Sequence, residues 1–201
     1  MESTEERNRA KVGKLAGIVG IICNFALAGG KFVVGTLVSS MSIIADSVNN
    51  LSDAASSIVT LLGFKLAEKP ADKKHPFGHA RFEYLASLTV AVMIFVIGFE
   101  LAKSSVEKII SPTPVKFSLV TILVLIVSIL VKLWMTFFYR KKGKEIHSTT
   151  LLAASADSRN DVLTTTCVLI AMVIELFTKW QIDGIMGALV SLFILYNGIG
   201  L

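Results

Sequence analysis

Two pairs of polar side chains lie within stretches that are otherwise apolar enough to cross a lipid bilayer. Asn49 and Asp53 are four residues apart, as are Asp157 and Asp161. In a helix, this spacing places both members of a pair on one face. A carboxylate at membrane depth costs roughly 2.5 kcal/mol or more, so three of them are most simply explained by a bound cation. The pattern predicts a divalent metal site in a membrane transporter.

The composition is typical of a membrane protein without a soluble catalytic domain. Hydrophobic residues make up 53% of the chain and charged residues 17%, unlike an ordinary soluble domain. Several segments are long enough to cross a bilayer, which takes about 20 apolar residues each. The six predicted spans are Val12–Val38, Met41–Phe64, Tyr84–Lys103, Ser118–Tyr139, Thr149–Phe177 and Ile182–Leu201. We therefore predict an all-α, polytopic membrane protein with six transmembrane helices, and residues 1–201 as one transport domain.

Basic residues are concentrated in alternate connections, which predicts the orientation of the chain. They cluster before the first span, after the second and after the fourth: Arg7, Arg9, Lys11, Lys14, Lys65, Lys69, Lys73, Lys74, Arg81, Arg140, Lys141, Lys142 and Lys144. Both termini are therefore expected in the cytoplasm, in a multi-pass protein of the cell membrane. The formal net charge of +5 is then explained by the basic residues of the cytoplasmic connections, and no nucleic-acid partner is expected.

In this topology, the two polar pairs should meet. Asn49 and Asp53 would lie about 12–18 Å from the outer end of the second helix, at 1.5 Å per residue. Asp157 and Asp161 would lie about as far from the inner end of the fifth. The hydrocarbon core is roughly 30 Å thick, so both pairs are expected near its middle, around one point.

The ligand types narrow the choice of ion. Three carboxylates and one amide oxygen form a hard site that suits Mn²⁺, Mg²⁺ or Ca²⁺ better than Zn²⁺. Fe²⁺ is an alternative. Metal ions and protons compete for carboxylate oxygens, so proton coupling is expected. The transported cation and protons are the only small partners predicted, with no cofactor, no catalytic residue and no enzyme activity.

Other polar residues leave alternatives open. The pairs could instead hydrogen-bond neighbouring helices, with Arg159 neutralising one carboxylate. Asp46 lies one turn before Asn49 on the same face and would serve either as an outer-shell group or as a structural one. Lys132 lies deep in the fourth span without an evident partner in the sequence.

These residues resemble the motifs of the cation diffusion facilitator family. Asp46-Ser-Val-Asn49-Asn-Leu-Ser-Asp53 is similar to the family's second-helix motif, and Asp157-Ser-Arg-Asn-Asp161 is similar to its fifth-helix motif. The resemblance implies a homodimeric metal/proton antiporter that exports divalent cations. It also implies a C-terminal cytoplasmic metal-binding domain, which would begin after Leu201. Zinc-transporting members typically have histidine at one or two of the four site positions, where this sequence has Asn49 and Asp157. The resemblance therefore favours the manganese-type branch, with Fe²⁺ and Zn²⁺ as alternatives.

The segment between the second and third spans resembles the family's cytoplasmic loop. The resemblance implies a second metal site at Asp72, His75 and His79. The alternative is a solvated basic loop whose histidines pair locally, because Pro76 and Gly78 break helical geometry between them.

Two rival functions differ in class. A membrane-embedded phosphotransferase would also use clustered aspartates to bind Mg²⁺ or Mn²⁺, but it needs a basic phosphate-binding group nearby. A metal channel would use the same ligands as a carrier, and a flux independent of a pH gradient would distinguish it.

Overall fold

Six α-helices form the part of the chain that the computed structural model describes, which is residues 2–67, 81–116, 118–178 and 180–199. They are α1 (Glu2–Val38), α2 (Met41–Ala67), α3 (Arg81–Ile110), α4 (Leu119–Glu145), α5 (Thr149–Thr178) and α6 (Asp183–Ile199). The all-α prediction is confirmed for these residues. Among the described residues, three stretches are long and apolar enough to cross a membrane, namely Lys11–Val38, Leu119–Glu145 and Thr150–Thr178. A shorter apolar helix covers Asp183–Tyr196.

The described helices pack as a bundle in which neighbours along the chain are often neighbours in space. α1 packs on α2 and α4, α4 packs on α5, and α3 packs on α6 and α2. The contact between α2 and α5 is one of the smaller interfaces between helices in the described part. This small contact matters because it joins the two predicted site motifs.

The surface and the interior are reversed relative to a water-soluble protein. Large apolar side chains such as Leu37, Phe137 and Phe177 are exposed, whereas Lys31 and Lys132 are among the largest fully buried side chains. In water such an apolar surface would promote association, but in lipid it is the expected exterior. Buried charge must then find partners inside the bundle.

A tight turn joins α1 to α2. Ser39 adopts a left-handed conformation with φ of 60°, and the Ser40 N–H donates to the Gly35 carbonyl at 2.9 Å. This is the hydrogen bond of a Schellman helix end, which satisfies a carbonyl that the helix leaves free. His147 has the same backbone conformation, with φ of 51°, after α4.

Asp183, at the start of α6, fixes the α1–α2 turn to the rest of the bundle. Its carboxylate accepts hydrogen bonds from the Met41 N–H at 2.7 Å, from the Ser42 hydroxyl at 2.6 Å and from the Ser40 hydroxyl. The Lys108 ammonium of α3 lies 2.8 Å from the same carboxylate. Asp183 therefore acts as an N-cap supplied by another helix, where a negative charge is favourable.

Gly187 allows α6 to approach α2 and α3 closely, and its replacement should destabilise the bundle. A Cβ at this position would lie 2.7 Å from the Ser105 hydroxyl oxygen and 3.2 Å from the Met41 carbonyl carbon. We expect Gly187→Ala to lower the free energy of unfolding by about 1–3 kcal/mol through overpacking. Thermal unfolding in detergent measures this. Gly29→Ala is the matched control, because a Cβ at Gly29 meets nothing within 4 Å. Equal melting temperatures for both variants would contradict the packing assignment.

Candidate metal centre

The two predicted motifs face each other across the small α2–α5 interface. The Asn49 side-chain amide donates to Asp161 Oδ1 at 2.7 Å. Both side chains are buried, with 4% and 3% exposure. Since Asn49 lies on α2 and Asp161 on α5, this hydrogen bond sets the register between the two helices in the middle of the bundle.

Lys132 of α4 links the Asp53 carboxylate to this pair. Its ammonium lies 3.0 Å from Asp53 Oδ2 and also contacts Asp161 Oδ2. Lys132 is 1% exposed, so the two ion pairs are sheltered from water at the ammonium. Three helices therefore meet at one cluster, which is buried except for the partly exposed Asp53 side chain. We call it the Lys132 cluster: Asn49, Asp53, Lys132 and Asp161.

Asp157 stands apart from this cluster. It lies one helical turn before Asp161 on α5, but its side chain is exposed and forms no hydrogen bond or ion pair with another described residue. Within the described residues, no group of three or more His, Cys, Asp or Glu side chains is arranged to hold a metal ion. The structure thus brings three of the four predicted ligands together, and their joint binding of a metal stays a prediction.

Lys132, rather than Arg159, neutralises the carboxylates. Arg159 is exposed and makes no ion pair with Asp53, Asp157 or Asp161. One feature of the sequence indicated this role, namely a lysine inside an apolar span without a local partner. Its partners could not be identified from the sequence, because Asp53 is 79 residues away along the chain and Asp161 is 29 residues away.

Asp46 belongs to a second buried network rather than to the Lys132 cluster. Its Oδ2 lies 2.8 Å from the Lys31 ammonium of α1, and both side chains have no exposure. Lys31 also donates to Asn50 Oδ1 at 3.0 Å and to Thr165 Oγ1 at 2.9 Å, and Thr165 donates to Asp46 at 2.9 Å. This network ties α1, α2 and α5 together, which favours the structural alternative for Asp46.

The predicted second metal site belongs to the segment between α2 and α3. Asp72, His75 and His79 lie outside the described residues, so the loop site and its alternative both stay predictions.

The chain belongs to the cation efflux family. Residues 17–201 match the family model described as the cation efflux transmembrane domain, which confirms the family resemblance seen in the sequence. This match covers most of the described helices, including both motifs of the Lys132 cluster.

Three relatives indicate the kind of protein involved. An uncharacterised transporter of Methanocaldococcus jannaschii is 36% identical over 88% of this chain and 62% of its own length. The manganese efflux system protein MneS of Bacillus subtilis is 28% identical over 94% of this chain and 66% of its own length. The cation-efflux pump FieF of Shewanella oneidensis is 26% identical over 90% of this chain and 61% of its own length.

All three relatives carry names of transporters or efflux proteins, which confirms the prediction of a transporter rather than an enzyme. The chain spans somewhat less than two thirds of the length of these relatives. The activity, cargo and partners of the whole protein are therefore matters for the proposal that follows.

Proposed function

We propose that this chain exports divalent metal cations in exchange for protons, with Mn²⁺ as the favoured cargo. The observation that carries the proposal is the Lys132 cluster, in which Asp53 and Asp161 from two different helices already share the buried Lys132 ammonium. A site that holds an ammonium between two carboxylates has the charge and the oxygen ligands that a metal cation needs.

The proposed topology has six transmembrane spans, with both termini in the cytoplasm. The exposed apolar side chains of the described helices and the alternation of basic connections support it. In this topology the α1–α2 turn faces outward, and Arg140, Lys141 and Lys142 at the end of α4 face the cytoplasm. Asp157 then lies on the cytoplasmic side of Asp161, since α5 runs outward from its start at Thr149.

Asp157 would be the first ligand that a cytoplasmic metal ion meets. The ion would bind its exposed carboxylate and then pass one helical turn to Asp161 and Asp53. Because Asn49 already holds Asp161, α5 would first separate from α2 to admit the ion and then close again. On closure, Asn49 would complete the ligand set, with its amide oxygen binding the ion after the side chain turns. The small α2–α5 interface supports such a motion, because few contacts must be broken for the two helices to separate.

Protons would complete the cycle from the outer side. When the site opens outward, protons compete with the metal for the same carboxylate oxygens, so an acidic exterior favours release. The return step then carries protons inward. Alternating access of this kind distinguishes a carrier from a channel.

The choice of Mn²⁺ rests on ligand chemistry and on one relative. An all-oxygen set favours a hard ion, and MneS is named as a manganese efflux protein. Fe²⁺ and Zn²⁺ are the alternative cargoes. A homodimer, a location in the cell membrane and a C-terminal cytoplasmic domain after Leu201 belong to the same proposal, and they rest on the family resemblance.

Transport by the protein in inside-out vesicles tests cargo and coupling together. We expect Mn²⁺ uptake to exceed Zn²⁺ uptake and to be accelerated when the vesicle interior is acidic, with protons leaving as the metal enters. Vesicles without the protein are the control. Equal or faster Zn²⁺ uptake would contradict the assignment of the cargo. Uptake that ignores the pH gradient would contradict the antiporter and support a channel.

A further inference from the structure

We propose that Lys132 is a built-in competitor of the metal: its ammonium occupies the site between Asp53 and Asp161 when no metal is bound, and an arriving metal displaces it. This inference rests on the proposed function and adds a residue that sets the affinity of the same site. Nothing in the acidic motifs themselves assigns a role to α4.

The first argument is that the ammonium and the metal would use the same oxygens. Lys132 Nζ contacts Oδ2 of both Asp53 and Asp161, while Oδ1 of Asp161 is held by Asn49. A metal bound by both carboxylates would lie about 2.0–2.6 Å from their oxygens. An ammonium nitrogen at 3.0 Å from Asp53 would then lie almost on top of it, so the two cations exclude each other.

The second argument concerns charge. With all three carboxylates ionised, Asp53, Asp157 and Asp161 carry three negative charges and Lys132 carries one positive charge, which leaves two negative charges for the cargo to balance. A doubly charged ion balances them, whereas a singly charged ion does not. If its ammonium stays near the site after displacement, Lys132 would therefore set the net charge of the three carboxylates to the value that a divalent cargo balances.

The third argument is that the lysine is able to move. The ammonium sits at the end of a flexible stem of four carbons, and the α4 backbone that carries it packs on α5 along its length. Asp157, exposed one turn from Asp161, lacks a partner among the described residues and offers the displaced ammonium a new one. Displacement then needs side-chain rotation, with no shift of α4.

A purely structural role of Lys132 predicts the opposite effect of its loss on metal binding. Removing one partner of a buried pair leaves uncompensated charge and is strongly destabilising. If Lys132 only holds the bundle together, its loss should weaken metal binding or abolish folding. If it competes with the metal, its loss should tighten binding, and the metal should restore the stability that the lysine supplied.

Titration of the purified full-length protein with Mn²⁺ at fixed pH tests the proposal by calorimetry. We expect Lys132→Met to lower the Kd by at least about 10-fold, and Lys132→Arg to stay near the wild-type value because its charge is kept. In vesicles, Lys132→Met should lower both KM and the maximal rate, since release from a tighter site is slower. Lys142→Met is the matched control, because Lys142 lies on the same helix and, among the described residues, forms its ion pair with the exposed Glu145. Its Kd should not change.

The outcomes separate this proposal from the proposed function. If wild-type protein binds none of Mn²⁺, Fe²⁺ and Zn²⁺, the proposed function fails. If the wild type binds and Lys132→Met binds equally or more weakly, only the competitor role fails. If Lys132→Met does not fold, Lys132→Gln, which keeps a donor, takes its place in the presence of Mn²⁺. Failure of both to fold with Mn²⁺ present would overturn the competitor role and establish a structural one.

Discussion

Replacement of Asp161 by alanine is expected to abolish Mn²⁺ transport, with a loss of at least about 100-fold in rate, since even groups that only orient a metal ligand contribute about 10–100-fold. Asp161 is the residue on which the Lys132 cluster depends, because one oxygen accepts from Asn49 and the other contacts Lys132. Its loss removes a proposed ligand and one of the hydrogen bonds between α2 and α5. Metal uptake into vesicles measures the effect.

The control for this variant must remove a carboxylate elsewhere. Glu145→Ala serves, because Glu145 is exposed at the end of α4 and pairs with Lys142 at 2.8 Å. It should transport at the wild-type rate. Asp161→Asn adds a variant that keeps the side-chain shape and can still hydrogen-bond Asn49, so that it should fold normally and still fail to transport. Wild-type transport by Asp161→Asn would show that the carboxylate is not a ligand.

Replacement of Asp46 by alanine is expected to give the largest loss of stability, about 3–5 kcal/mol. The Lys31 ammonium would keep hydrogen bonds to Asn50 and Thr165 but lose its counter-ion at a position without exposure. A buried cation without a counter-ion is far more unfavourable than the same pair replaced by apolar residues. Chemical unfolding in detergent measures the difference.

The double variant Lys31→Met/Asp46→Leu tests whether the instability of Asp46→Ala comes from the unpaired Lys31 charge. It removes both charges, and it should recover most of the stability lost in Asp46→Ala. By contrast, Glu145→Ala breaks an exposed pair and should change the free energy of unfolding by less than about 1 kcal/mol. A double variant as unstable as Asp46→Ala would contradict the ion-pair explanation.

Hydropathy predicted the centres of the described helices well and some of their ends poorly. The first predicted span ended at Val38, as α1 does, because the turn at Ser39 stops helix and apolar run together. The fourth predicted span ended at Tyr139, but α4 continues to Glu145. The apolar stretch ends at the basic residues after Tyr139, but the helix continues through them, since backbone hydrogen bonding does not require apolar side chains.

Spacing within a helix predicted part of the candidate site. The four-residue spacing predicts that the two members of each pair share one helix face, because helical periodicity is a local property. The predicted topology then places both pairs at a similar depth, and Asn49 and Asp161 do meet. The partner of the carboxylates was missed because Lys132 reaches them only through the packing of α4 against α5. The pairing of Asp46 with Lys31 escaped prediction for the same reason. Contacts between helices depend on register, which no spacing within one helix determines.

The most direct test of the metal site is to measure the binding of Mn²⁺ to the purified protein. The loss of the electron paramagnetic resonance signal of free Mn²⁺ reports the binding. The proposed site predicts one bound Mn²⁺ per chain at the Lys132 cluster that disappears in the double variant Asp53→Asn/Asp161→Asn, while Glu145→Ala binds as the wild type does. Binding of Mn²⁺ by the double variant with unchanged affinity and stoichiometry would contradict it.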